Sequence, residues 1–242
     1  MTDANRIDLH VHSFLSDGVL LPSELLRRVV VRGYRAIAIT DHADASNMEE
    51  LIASLMRFAR QQEGDFPLTF IPGVELTHVA PRSIAPLAWR AKELGAGLVL
   101  IHGETISEPV RAGTNRAAVE CPAVDILAHP GLVTLEEARL AAENDIYLEI
   151  NSHRGHCLTN GHVANIARQT GARLVVNTDT HTPQDMIGQE MARLVAAGAG
   201  LKEAEVEAAT VTNPQALVQR ATGKGKPLSP ITLEFAAKGR SP

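Results

Sequence analysis

The chain is short of the residues that mark several classes of protein. It has only two cysteines, Cys121 and Cys157, too few for a disulfide framework and without the C-x-x-C spacing of a zinc knuckle. No apolar run reaches the roughly 18 residues that a membrane helix needs. The start, Met1 to Arg6, lacks a cationic segment followed by an apolar one. We therefore expect a cytoplasmic protein with no membrane partner.

Excess positive charge is also absent, since the formal net charge is −5. Proteins that bind long nucleic acids usually concentrate surplus Lys and Arg on one face, so we expect no such partner and favour a small substrate. Hydrophobic residues make up 45% of the 242 residues and charged residues 21%, as in an ordinary globular domain. Ten histidines are the unusual feature of the composition.

Short apolar runs alternate with longer amphipathic segments along most of the chain. Successive strand and helix units of this kind predict an α/β fold with a parallel sheet closed as a barrel. We expect one domain over residues 1–222 and a short tail over residues 223–242, with an Ala-rich helical stretch between Asp185 and about Ala221. The predicted strands are Arg6 to Val11, Ala36 to Thr40, Leu68 to Val74, Gly97 to Ile101, Val124 to Ala128, Ile146 to Ile150 and Arg173 to Asn177. The predicted helices between them are Pro22 to Val31, Ser46 to Gln62, Arg82 to Leu94, Thr134 to Glu143 and Gly161 to Thr170.

Residues able to bind metal follow the carboxyl ends of these strands. In a βα barrel such ends meet at one mouth, where catalytic groups lie. His10 and His12 are two positions apart on a strand, so they share a face and can bind one ion together. Mixed nitrogen and oxygen donors suit Zn²⁺, Mn²⁺ or Fe²⁺. The candidate ligands are His10, His12, Asp17, His42, Glu75, His102, His129, Asp179 and His181.

Four further histidines, His78, His153, His156 and His162, fall outside this pattern. We take them as ordinary surface or loop residues. His153 and His156 are partial exceptions, because they follow the sixth predicted strand and lie near the expected mouth.

The same residues stand in motifs that resemble those of the polymerase and histidinol phosphatase (PHP) superfamily. The motifs are D-x-H-x-H-S at Asp8 to Ser13, S-D-G at Ser16 to Gly18, T-D-H at Thr40 to His42, G-V-E at Gly73 to Glu75, H-G-E at His102 to Glu104, H-P-G at His129 to Gly131 and D-T-H at Asp179 to His181. They run in the family's order. The resemblance implies a distorted (β/α)₇ barrel with a trinuclear centre of two to three divalent ions.

The resemblance also divides the ligands among the ions. The first ion would be held by His10, His12, Glu75 and Asp179. The second would be held by Glu75, His102 and His129, so that Glu75 bridges the two ions. The third would be held by Asp17, His42 and His181. Position 17 is a histidine in some relatives, so the aspartate can alter the metal preference of the third site. Asp8 and Asp41 fit roles in orienting ligating imidazoles through their ring N–H groups. For Asp41, simply closing the strand end is a comparable alternative.

A loop between the fourth and fifth predicted strands is similar to one in stand-alone bacterial PHP phosphatases. It carries E-P-V from Glu108 and T-N-x-x-A from Thr114. Arg111 and Arg116 in this loop, and Arg154 after the sixth strand, are candidates for gripping phosphate, because guanidinium offers a planar pair of donors. A solvated basic surface is the alternative for these arginines.

Formal charges point to the chemistry. Three divalent ions carry about six positive charges, and Asp17, Glu75 and Asp179 offset three, which leaves roughly three for a phosphate dianion and a hydroxide. We therefore expect a metal-dependent phosphatase in which a metal-bridging hydroxide attacks a small phosphate monoester. A water on the ions, Asp41 or His153 would protonate the leaving alcohol.

Two other functions fit the same residues. One is a 3′-directed nuclease or a nucleoside bisphosphate phosphatase, although the net charge of −5 disfavours long nucleic acids. The other is a non-catalytic metal-binding structural module, for which missing ligands would be expected, whereas here the set is complete. The pattern favours no particular ester and no particular oligomeric state.

Overall fold

Parallel strands form a sheet that nearly closes into a barrel in this computed structural model, which describes residues 6–223. The strands are β1 (Arg6–Asp8), β2 (Tyr34–Ile39), β3 (His42–Ala43), β4 (Thr69–Leu76), β5 (Leu98–His102), β6 (Ile126–Ala128), β7 (Tyr147–Asn151) and β8 (Leu174–Asn177). Their order is β1-β2-β4-β5-β6-β7-β8. The short β3 resumes the course of β2 and pairs with β4. The predicted seven-stranded barrel is therefore confirmed.

The barrel approaches closure through the segments that follow its first and last strands. Val11 forms an isolated parallel bridge with Thr180. The His12 N–H donates to the Thr180 carbonyl at 2.8 Å, and the Asp179 N–H donates to the His10 carbonyl at 2.9 Å. These bonds hold two ligand-bearing segments side by side at the carboxyl end of the sheet.

Helices cover the outside of the sheet. They are α1 (Pro22–Val31), α2 (Met48–Gln61), α3 (Pro81–Glu93), α4 (Thr114–Val119), α5 (Leu135–Glu143), α6 (Asn160–Thr170), α7 (Gln189–Gly198), α8 (Glu203–Glu207) and α9 (Asn213–Ala221), with a 3₁₀ turn at His156–Thr159 and a π-helical turn at Ala208–Thr212. Local sequence explains where two of these helices begin. Pro22 is the first residue of α1, and Thr134 and Glu137 form a reciprocal capping box at the N-terminus of α5. Unlike the other helices, α4 lies in a stretch where the hydrophobic pattern predicts a loop.

Apolar side chains pack in two layers, one inside the barrel and one between the sheet and the helices. The inner layer includes Leu9, Leu100 and Val175, all fully buried. Leu217 of α9 joins this layer, so the last helix packs against the barrel interior. Burial of the Leu217 side chain contributes about 2 kcal/mol to the free energy of unfolding. Of the predicted tail, only Gly223 is among the described residues. No helix within residues 6–223 is both long and apolar enough to cross a membrane.

Candidate metal centre

All nine predicted ligands meet at the carboxyl end of the sheet. They arise from segments far apart in sequence, because each parallel strand delivers its following residues to the same end of the barrel. A cavity of about 410 Å³ opens there. Asp17, His42, His102, Asp179 and His181 are among the residues that line it.

The first group consists of His10, His12, Glu75 and Asp179. The Nε2 atom of His10 lies 3.1 Å from His12 Nε2 and 3.3 Å from both Glu75 Oε2 and Asp179 Oδ1. His12 Nε2 lies 3.5 Å from the same Glu75 oxygen and 2.9 Å from the same Asp179 oxygen. Ligand atoms bound at about 2.0 Å to a tetrahedral ion are roughly 3.3 Å apart. These four atoms thus have the spacing of a tetrahedral cation site.

Glu75 also belongs to the second group. Its other oxygen, Oε1, lies 3.3 Å from His102 Nδ1 and 3.3 Å from His129 Nε2. The two oxygens of one fully buried carboxylate therefore face different sets of imidazoles. This is the geometry that a carboxylate bridging two cations requires.

The third group lies nearer to solvent. Asp17 Oδ1 is 3.3 Å from His181 Nε2, and Asp17 Oδ2 is 3.5 Å from His42 Nε2. His42 connects this group with the bridging carboxylate, since its Nδ1 lies 2.9 Å from Glu75 Oε2. The Asp17 side chain is 54% exposed, so the group is open on its outer side.

Several ligand atoms of these residues are buried and lack a hydrogen-bond partner, which is the arrangement expected if divalent cations bind there. Both Glu75 oxygens, both His129 ring nitrogens, Asp179 Oδ1 and His102 Nδ1 are buried without a hydrogen-bond partner. Leaving such atoms unsatisfied is costly, and native interiors avoid it except at functional sites. Cations held between these atoms would satisfy them.

The charges of the carboxylates fit the same interpretation. Burial favours a raised pKa for Glu75, but the neighbouring His10, His102 and His129 hold it well below the ordinary value. Asp179 behaves likewise, since His10 and His12 outweigh its burial and lower its pKa. Both side chains are therefore ionised near neutral pH and present negative oxygens to the centre.

Some imidazoles bind protons tightly in the chain without ions. Although burial opposes it, Asp17 and Glu75 raise the pKa of His42 to about 10. Glu108 and Glu75 raise the pKa of His102 to about 9, again against burial. Cations entering the centre would displace these protons, because a histidine must be neutral to bind metal.

Unusual backbone geometry accompanies the ligands. His129 and Asp179 have φ values of 26° and 54°, in the left-handed region that non-glycine residues rarely occupy. Each such residue costs of order 1–3 kcal/mol and tends to occur at functional sites. In the H-P-G motif, Gly131 has φ of 62°, and a β-carbon there would collide with the Glu104 carbonyl. The glycine thus permits two mouth loops to approach closely.

The structure also places residues at the centre that the sequence pattern does not single out as ligands. Glu108 lies 3.0 Å from His102 Nε2, 3.4 Å from His156 Nε2 and 3.4 Å from His78 Nε2. The ring of His156 stacks on that of His129 with centroids 4.1 Å apart. All three of these additional side chains line the cavity. The E-P-V motif and the position of His156 after the sixth strand were the available signals.

Two predicted orienting contacts differ from what the structure contains. Asp8 pairs with Arg6 at 3.0 Å and accepts the Thr178 N–H, and it makes no described contact with a ligating imidazole. Asp41 is fully buried and accepts hydrogen bonds from the N–H and hydroxyl of Ser13 and from the hydroxyl of Ser16. Its contacts are thus with the loop that leads to Asp17.

The three predicted phosphate-binding arginines lie away from the cavity lining. Arg116 forms ion pairs with Glu120 at 2.5 Å and Glu136 at 2.6 Å on the surface. Arg111 and Arg154 are exposed. His153, the other predicted catalytic residue, does line the cavity, whereas the ring of His162 contacts the Val133 carbonyl instead.

Comparison with known proteins decides the family. A model of the PHP domain matches residues 8–117, a stretch that carries six of the nine ligands, from His10 to His102. The chain belongs to the PHP superfamily. Its ordered motifs and its barrel agree with this membership.

Several known proteins are similar to the chain over part or most of its length. It is 49% identical over 217 residues to the uncharacterized protein MJ1295 of Methanocaldococcus jannaschii, covering 89% of this chain and 99% of that protein. It is 26% identical over 229 residues to ribonuclease P protein component 3 of Methanosarcina barkeri, 88% of each chain. Over only 72 residues it is 35% identical to the 3′,5′-nucleoside bisphosphate phosphatase of Chromobacterium violaceum, 30% of this chain and 22% of that enzyme.

Proposed function

We propose that this PHP protein is a metal-dependent phosphoesterase that hydrolyses a small phosphate monoester. Glu75 carries the proposal, because its two oxygens face separate groups of buried imidazoles in the way that a pair of bridged cations needs. Divalent ions bound there would supply a water of lowered pKa and the positive charge that a phosphate dianion requires. We expect two to three such ions, of Zn²⁺, Mn²⁺ or Fe²⁺.

The cavity supports a small anionic substrate. Its volume of about 410 Å³ lies in the range of small-molecule sites, and its lining within residues 6–223 contains no Lys or Arg that would follow a long polyanion. Glu108 adds a fourth carboxylate to Asp17, Glu75 and Asp179. Against three divalent ions, roughly two positive charges then remain, which a phosphate monoester dianion would neutralise.

A proton must reach the leaving alcohol, and His153 is our candidate for this step. It lines the cavity, whereas Asp41 lies buried with its carboxylate engaged by Ser13 and Ser16. This difference in access favours His153 over Asp41. Because Arg111, Arg116 and Arg154 do not line the cavity, we favour the ions and the cavity histidines over these arginines as the groups that bind the phosphate.

Two relatives favour other candidates. The similarity to a nucleoside bisphosphate phosphatase makes small nucleotides a natural part of any substrate panel. The similarity to ribonuclease P protein component 3 extends over 88% of the chain and favours a non-catalytic component of a larger ribonuclease as the second function. The complete set of ligands around Glu75 supports catalysis instead.

The test is hydrolysis by the purified chain. It would be supplied with Mn²⁺ or Zn²⁺ and assayed on p-nitrophenyl phosphate, histidinol phosphate, sugar phosphates, a nucleoside 3′,5′-bisphosphate and a short RNA. We expect turnover of at least one monoester, loss of turnover with EDTA and recovery when metal is restored. Substitution His10→Ala or Asp179→Ala should abolish turnover and lower bound metal while the circular dichroism spectrum stays that of the folded chain.

His162→Ala is the matched control, because His162 hydrogen-bonds the Val133 carbonyl and is not among the residues that line the cavity. Its turnover should equal that of the wild type. Unchanged turnover in His10→Ala, or a metal-loaded protein that hydrolyses none of the esters, would refute the proposal. Binding of structured RNA without hydrolysis would favour the ribonuclease component.

A further inference from the structure

One buried carboxylate contacts residues of both inner ligand groups without belonging to either. Glu149 on β7 is fully buried. Its Oε1 lies 2.8 Å from His10 Nδ1 and accepts from the Asn177 side-chain amide at 2.9 Å. Its Oε2 accepts from the backbone N–H of His129 at 3.0 Å and from the Asn151 amide at 2.7 Å. Both oxygens are therefore fully engaged.

These contacts determine which nitrogen of His10 bears the proton. An ionised carboxylate only accepts hydrogen bonds, so His10 must donate from Nδ1. In the neutral ring that binds a metal ion, Nε2 is then the nitrogen with a free lone pair, and this is the atom that faces Glu75 and Asp179. Carboxylates behind metal-binding histidines commonly act in this way.

Glu149 could instead be a ligand, since its carboxylate lies close enough to His10 and His129 for the three to hold an ion. Its surroundings argue against that function. Two amide groups and one backbone N–H already point at its oxygens, and it faces the side of the His10 ring opposite to the first group. A cation there would have to displace these donors.

We propose that Glu149 is a positioning residue that couples the first and second ion sites. It holds His10 in the Nδ1–H tautomer, and it holds His129 in its left-handed backbone conformation by accepting the His129 N–H. The inference rests on the metal centre of the proposed function. It predicts that one substitution behind the ligands weakens both inner sites.

Glu149→Gln tests this with little change of shape. The amide has one oxygen and one NH₂ group, so two of the four donors would face another donor. We expect Zn²⁺ affinity, measured by competition with a chromophoric chelator, to fall about 10- to 100-fold. The visible spectrum of the Co²⁺-loaded protein should change as well, which a general loss of stability would not cause.

Asp125→Asn is the matched control. Asp125 is likewise a buried carboxylate that accepts a backbone N–H, from Val99 at 2.8 Å, and it forms an ion pair with Lys92 and not with a ligand of the centre. Its Zn²⁺ affinity should stay within about twofold of the wild type, because distant sites act independently. Its Co²⁺ spectrum should be unchanged.

The wild-type tautomer gives a second test that needs no variant. Nitrogen-15 NMR of labelled histidine in the Zn²⁺-loaded protein should find His10 protonated at Nδ1. An Nε2–H tautomer, or a folded Glu149→Gln that binds Zn²⁺ as tightly as the wild type with the same Co²⁺ spectrum, would overturn the inference while leaving the proposed function intact. A wild type that binds no Zn²⁺ or Mn²⁺ would overturn both.

Discussion

Removing the Glu75 side chain should empty two ion sites at once. Its Oε2 lies within 3.5 Å of His10 and His12, and its Oε1 lies 3.3 Å from His102 and His129. An ordinary ligand serves one ion, so its loss weakens one site. Because the two Glu75 oxygens face different ligand groups, loss of this side chain should weaken two ion sites instead of one.

The size of the effect follows from the number of ligands. A structural Zn²⁺ site with four ligands contributes roughly 10–16 kcal/mol, or about 2.5–4 kcal/mol for each ligand. Since 1.4 kcal/mol corresponds to a tenfold change in affinity, Glu75→Ala should weaken each inner site by about 100- to 1,000-fold. Binding in the micromolar range would then weaken to about 0.1–1 mM and become undetectable in the presence of a mild chelator.

Metal content after dialysis against such a chelator is the assay, measured by mass spectrometry and expressed as ions per chain. Asp17→Ala provides the comparison, because Asp17 contacts the outer group through His42 and His181. Asp17→Ala should lose one ion and Glu75→Ala two, with circular dichroism verifying that both variants are folded. Equal losses in the two variants would refute a bridging function for Glu75.

Two further predictions follow from the site. Arg116→Ala should leave kcat/KM for the preferred ester within about twofold of the wild type, because surface ion pairs with Glu120 and Glu136 hold the guanidinium; a tenfold loss would restore it as a phosphate ligand. In the ion-free chain, the pKa values of His42 and His102 are raised from 6.5 to about 10 and about 9. The stability that these protons contribute is complete below about pH 6.5 and is lost as the pH rises through 9 to 10. The melting temperature of the EDTA-treated protein should therefore fall between pH 7 and 10, and a constant value would contradict the assignment.

The order of ligands was predictable because parallel strands obey a simple rule. Each apolar run that becomes a strand delivers the residues after it to one end of the barrel, so strand-end histidines and carboxylates converge whatever their distance in sequence. The pairing of His10 with His12 follows from the two-residue period of a strand. Asp8, two positions before His10, instead pairs with Arg6 and accepts the Thr178 N–H.

Contacts across the barrel were not predictable in this way. Glu149 and His10 are 139 positions apart, and their hydrogen bond depends on the register of β7 and β8 beside β1. Local spacing favoured Asp8 and Asp41 for orienting imidazoles, whereas the barrel brings Glu149 behind His10. Glu149 lies in the predicted strand Ile146 to Ile150, but nothing local to it indicates which imidazole its carboxylate contacts.

The helix α4 illustrates a second limit. Its first N–H groups are satisfied by Glu104, which accepts from Gly113 at 3.0 Å and from Asn115 at 2.9 Å. A cap from a residue about ten positions earlier produces no local helix-start pattern. In this helix Arg116 forms an ion pair with Glu120 one turn later, and it is not among the residues that line the cavity.

The openness of the three ligand groups bears on whether the centre is catalytic. Structural metal sites are closed by four protein ligands, whereas catalytic sites keep a position for water or substrate. The first group offers four buried ligand atoms and reaches the cavity only through Asp179, while the second and third offer three each from the predicted set and border the cavity. A purely structural site would be closed to solvent, whereas Asp17 is 54% exposed beside His42 and His181. A buried first site with two incomplete sites facing a small cavity is the arrangement expected of a hydrolase whose substrate supplies the remaining oxygen ligands.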